Sequence, residues 1–146
     1  MNLKKVNQTN NPNNHLTLLD TFKQASKDLL FMSESEYPFE TFFWQAEDKK
    51  NINAELILQK TGHPPNTPVK FINIDSFFAI ATTEQDWHSS EDKETIKKYQ
   101  NLVKVIKDNL TDITVARLGE IEIDVYIIGK TANGEFAGLS TKVIET

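Results

Sequence analysis

The order of apolar patterns along the chain predicts an α+β domain built on a mainly antiparallel sheet. Three observations carry that expectation. A helical stripe opens the body of the chain, a longer one fills residues 91–109, and three alternating, Val/Ile-rich segments close it. Helices placed before and between groups of strands argue against a regular parallel βαβ array. At 146 residues the chain fits one domain. A domain of that size buries roughly two thirds of its unfolded surface and needs neither metal nor disulfide to hold it.

Residues 1–14 hold six asparagines, one proline and almost nothing apolar, a composition that cannot offset the entropy of ordering. They are expected to form a disordered tail ahead of a folded domain at 15–146. Leu16, Leu19, Phe22, Ala25 or Ser26, and Leu29 then recur at helical spacing with Asp20 and Asp28 off the stripe, which predicts a helix ending near Phe31. The run breaks into Ser33-Glu34-Ser35-Glu36, a short surface loop presenting carboxylates between two apolar anchors. Residues 38–44, rich in Phe and closed by Trp44, read as a strand.

Residues 53–60 fit a short helix stopped at Thr61-Gly62, with a strand as the alternative. A Pro-rich loop at 63–68 leads to an alternating strand at 69–74, and 75–81 is either a turn of helix or its continuation. Residues 82–90 are polar and carry an exposed-looking aromatic, Trp87, for which a half-buried core position is the slightly favoured alternative on the residues alone. The best helix follows at 91–109, where Ile96, Tyr99, Val103, Ile106 and Leu110 share a face and the lysines lie elsewhere. Segments 113–118, 120–128 and 135–144 read as three antiparallel strands, with Asn133-Gly134 marking the last hairpin. Gly129, Gly134 and Gly138 read as turn and bulge glycines.

Composition narrows the function. The chain has no cysteine, which removes disulfides, thiol nucleophiles and thiolate metal sites and suits a reducing cytosol. The first residues, MNLKKVNQTNN, lack an apolar run and a small-residue cleavage site and are not expected to be a secretory signal; no stretch of about 20 apolar residues would span a bilayer. From His15 onward there are 14 basic and 21 acidic residues, a formal charge of −7, and Arg117 is the sole arginine. Such a body is poorly made to grip a polyanion and well made to bind something basic.

Catalytic constellations are weak. His15, His63 and His88 show no metal-ligand spacing and read as surface histidines, and neither GxSxG nor a phosphate-cradling glycine loop occurs. Glu34, Glu36 and Glu40 form an acidic stretch without a second matching motif. A solvated loop explains them better than acid/base or metal chemistry. A small hydrolase using Glu34 and Glu36 stands as a distant reading.

Met32-Ser33-Glu34-Ser35, Ile74-Asp-Ser-Phe-Phe78, Ala81-Thr-Thr83, Gln85-Asp-Trp87 and the closing pattern RLGExExDVYxIGxTxxGxxAGxSTKVxET, from Arg117 to Thr146, together carry a resemblance. From about Leu16 to the last residue the chain closely resembles the nuclease A inhibitor family, small bacterial proteins that block a sugar-non-specific endonuclease. The resemblance implies a single-domain α-β-α sandwich, a cytoplasmic protein without cofactor or metal of its own, and no direct binding to nucleic acid or membrane. It implies as partner a Mg²⁺-dependent, nuclease A-like endonuclease of the ββα-metal type, met by a free monomer to form a 1:1 heterodimer. Glu34 would enter the nuclease active site and engage its cations, Trp87 would anchor the interface, and Thr146 would reach the catalytic Mg²⁺. Glu36 would lie at the rim. A non-inhibitory interaction module on the same fold is the alternative, since a scaffold does not fix its partner.

Overall fold

The computed structural model describes residues 14–32, 36–45 and 51–145. The tail expected at 1–14 lies outside them except for Asn14, which begins the first helix. In chain order the elements are α1 (Asn14–Ala25), β1 (Leu30–Met32), β2 (Glu36–Pro38), β3 (Glu40–Trp44), α2 (Ala54–Thr61), β4 (Val69–Ile72), α3 (Ile74–Phe77), α4 (Ala79–Thr82), α5 (Ser90–Asn109), β5 (Thr111–Leu118), β6 (Glu122–Lys130) and β7 (Phe136–Ile144).

Five strands form one sheet in the order β3-β7-β6-β5-β4, every neighbour antiparallel, while β1 and β2 make a separate hairpin. Strand parity sorts the side chains into two layers. Val115, Val125, Ile127, Leu139 and Val143 pack with Phe22 of α1 and Tyr99, Leu102 and Ile106 of α5. Residues of opposite parity, Ala116 and Leu118, pack with Ile57 and Leu58 of α2. Helices therefore cover both faces, giving the α-β-α sandwich. Each such aliphatic side chain contributes roughly 2 kcal/mol when taken from water.

The first helix stops at Ala25, short of the expected Phe31. Ser26 turns its hydroxyl back to the Phe22 carbonyl at 2.9 Å, and Asp28 adopts a left-handed φ of 63°, which breaks the helix. Leu29 still enters the core, but Leu30 to Met32 pair with Glu36 to Pro38 instead of completing a helical turn. The segment at 53–60 is a helix, capped by the Asn53 side chain accepting from Leu56 N–H at one end and by Gly62 at φ 73° at the other. The helical alternative holds for 75–81, as two short helices, α3 and α4, separated at Phe78, and the strand does not continue.

Gly134, at φ 81°, makes the expected hairpin turn. Gly129 and Gly138 do something else: both sit inside paired strands. A Cβ at Gly138 would lie 1.8 Å from the Ile127 carbonyl oxygen, and one at Gly129 would lie 2.8 Å from Leu110 Cβ. Close approach of backbone and side chain, not bulge geometry, requires glycine there.

Candidate functional site

Two of the segments singled out from the sequence, the hairpin around Met32 and the end of the closing stretch, lie toward one end of the sheet. α5 passes into β5 through Leu110 alone, so its C-terminal end lies where Thr111 pairs with Lys130. Its start points the other way, toward the end where β5 finishes at Leu118 and β7 finishes at Ile144 opposite Glu122. The β1-β2 hairpin is pinned at that same end. Thr141, near the end of β7, donates its hydroxyl to the Pro38 carbonyl at 3.0 Å, and Lys142 Nζ stands 6.0 Å from the centre of the Tyr37 ring.

Beneath the hairpin lies an aromatic cluster that single-sequence reading missed. Phe31 stacks on Phe77 at 4.4 Å and meets Phe39 and Phe78 edge-on, while Tyr99 donates to the Leu30 carbonyl at 2.5 Å. Edge-on and offset contacts of this kind add to simple area burial. They fasten β1 to α3 and to the middle of α5. Met32 and Glu36 form the pair nearest the tip. Glu34, with Ser33 and Ser35, lies outside the described residues, as does Thr146.

Trp87 is 78% exposed. Its loop is nonetheless ordered by local bonds: His88 N–H donates to the Gln85 carbonyl at 3.1 Å, and Gln85 N–H donates to His88 Nδ1 at 2.9 Å. Ser89 caps α5 through a reciprocal box with Asp92, and Lys93 reaches Glu84 at 3.7 Å. The indole leans on the His88 ring with centroids 4.2 Å apart. Ile80 of α4, at 92%, is a second large apolar side chain left in water, beside the same loop in the chain. Scattered apolar residues are ordinary on a surface, and tryptophan is a residue type enriched among interface hot spots.

Charge concentrates in the same region. Residues 83–94 carry Glu84, Asp86, Glu91, Asp92 and Glu94 against Lys93 alone. The Asp92 carboxyl is held below its ordinary range, first by the Ser89 backbone N–H and then by the Ser89 hydroxyl. Carboxylates clustered around an exposed aromatic create a field that attracts a cationic surface.

Next to Thr146, Glu145 is doubly held. Its N–H donates to the Ile121 carbonyl at 2.9 Å, and its carboxylate meets Arg117 Nη2 at 2.7 Å. On the α2 face, His63 bridges Thr61 Oγ1 at 2.5 Å and Asp124 Oδ2 at 2.8 Å, so it is a tie between α2 and β6 and not a freely exposed histidine. The Thr61 hydroxyl also bonds the Ile57 carbonyl at 2.8 Å, an arrangement that caps a helix and does not free a nucleophile. Among the described residues, no group of three or more His, Asp or Glu could hold a metal, and no helix is long and apolar enough to cross a membrane.

A family model described as nuclease A inhibitor-like protein matches residues 16–146. Comparison with curated proteins gives no match.

Proposed function

The chain belongs to the nuclease A inhibitor-like family, and from that premise we propose that it binds and plugs the active site of a Mg²⁺-dependent, sugar-non-specific endonuclease of the ββα-metal type. It is a binding protein, not a catalyst, and takes no cofactor. One monomer meets one nuclease in the cytoplasm and protects the producing cell's nucleic acid.

Three observations support this reading: the hairpin flanking Glu34 is pinned to β7, Trp87 stands exposed on a braced loop, and the residue preceding Thr146 is anchored. In this reading Glu34 pairs with active-site cations. Trp87 supplies desolvated contact area at the centre of the interface. Thr146 offers hard oxygen donors to an Mg²⁺ that keeps open positions for a substrate phosphate. The acidic residues around Trp87 make that loop complementary to a nuclease cleft built to hold a polyanion.

The experiment compares the chain carrying a tag at either terminus. Plasmid digestion by nuclease A is followed in the presence of each form, with thermal unfolding recorded alongside. An N-terminal tag leaves inhibition intact. A C-terminal tag crowds a cavity sized for a phosphate and weakens inhibition without lowering the unfolding midpoint. Equal inhibition by both forms would remove Thr146 from the metal site.

A further inference from the structure

Arg117 is the sole arginine of the chain and the penultimate residue of β5. Its cross-strand partners are Lys70 and Val125, yet its side chain passes over β6 to reach Glu145, the residue after β7. Two strand spacings amount to about 10 Å, and Glu145 lies four residues beyond Thr141, the β7 residue in the Arg117 row, so the pair runs diagonally across the sheet. A long, rigid-headed cation spans that gap and meets the carboxylate at 2.7 Å.

Glu145 is thus fixed along two directions. Its backbone is tied to the Ile121 carbonyl of the β5-β6 turn, and its side chain to Arg117. The turn itself is tightly set: Gly119 sits at φ 109°, donates its N–H to the Pro68 carbonyl at 2.9 Å, and would place a Cβ 2.6 Å from the Glu122 carbonyl oxygen. Last residues of a chain ordinarily fray. Here the residue before the last is bonded to two different parts of the sheet.

We propose that Arg117 is a positioning residue for inhibition: its clamp on Glu145 aims Thr146 into the partner's metal site. The inference rests on the reading of Thr146 given above. Arg117 keeps 21% of its side chain exposed and Glu145 keeps 53%. An ion pair so open to water adds little to folding stability, so its consequence is directional. A group that must meet a metal needs its support locked by neighbouring bonds. The pairing also keeps the Glu145 carboxylate from competing with Thr146 for the same cation.

The test has two arms. In the free chain, hydrogen exchange of the Glu145 amide is compared between wild type and Arg117→Ala; loss of the clamp speeds it about threefold. Unchanged exchange would overturn the clamp whatever the partner does. In the second arm, inhibition of nuclease A is measured for wild type, Arg117→Ala, Arg117→Lys, the Thr146 deletion, and Arg117→Ala combined with that deletion. Arg117→Ala raises the inhibition constant roughly tenfold or more, as loss of an outer support of a metal ligand does. Arg117→Lys recovers part of the loss. Once Thr146 is deleted, Arg117→Ala changes the constant by less than about twofold, since the two act as one unit. If Arg117→Ala acts equally with and without Thr146, or has no effect while the deletion does, the positioning role is wrong and the role of Thr146 stands. If the deletion itself changes nothing, the role of Thr146 falls and this inference with it.

Discussion

At the scale of single residues, exposure separates contact from support. Trp87 is 78% exposed and its loop is held by backbone and capping bonds that do not use the indole. Trp87→Ala should therefore leave stability within about 0.5 kcal/mol while weakening the nuclease complex by roughly 2 kcal/mol or more. Glu34→Ala should cost the complex as much, because removing a carboxylate from a desolvated cation leaves that cation unpaired. Glu36→Ala should cost under about 1 kcal/mol, as a rim charge is replaced by water. Inhibition constants and urea midpoints for the three variants check this, and equal small effects at Glu34 and Glu36 would mean the loop is merely solvated. The polar neighbours Gln85, Asp86, His88 and Ser89 left Trp87 open between an exposed and a half-buried position, and the structure exposes it. The Arg117 to Glu145 pair was not legible, because nothing in a sequence tells which side chains cross an intervening strand.

At the scale of elements, the legible features were those set by local chemistry. The face of α5 bearing Ile96, Tyr99 and Ile106 is buried as its spacing predicts, with Leu102 joining it in place of the half-buried Val103. The three closing strands appear in antiparallel register. What failed was decided by tertiary contact. The helical stripe through Leu29 gave way to a hairpin once Phe31 could stack on Phe77, 46 residues onward in the chain, and Thr141 could bind the Pro38 carbonyl. Gly138 looked like a turn residue until Ile127 came against it. Gly138→Ala should accordingly destabilise the domain by about 3 kcal/mol or more, since the obstruction is backbone and cannot rotate away; an unchanged unfolding midpoint would contradict that packing. Ser89→Ala should cost about 1 kcal/mol through loss of the α5 cap. The partner of that cap, Asp92, has a folded pKa depressed below its unfolded value of 3.8. Its contribution is present above that value and lost as pH falls through the lowered one. The stability difference between wild type and Asp92→Asn should shrink over that acid window and stay constant above it, as pH-dependent denaturation would record.

At the scale of the whole molecule, the chain is a sandwich whose body carries a formal charge of −7 from His15 onward. Steering of a cationic nuclease by that field should make association depend on salt, since screening shortens its reach to about 10 Å at 0.1 M. Stopped-flow measurements should show the association rate falling with added salt far more than the dissociation rate rises. A flat association rate would remove steering, though not inhibition. The most direct test of inhibition itself is titration: the purified chain is added stepwise to nuclease A digesting plasmid DNA at fixed Mg²⁺. Activity should fall in proportion to added chain and vanish near one chain per nuclease; undiminished digestion at a large molar excess would contradict the inhibitory function.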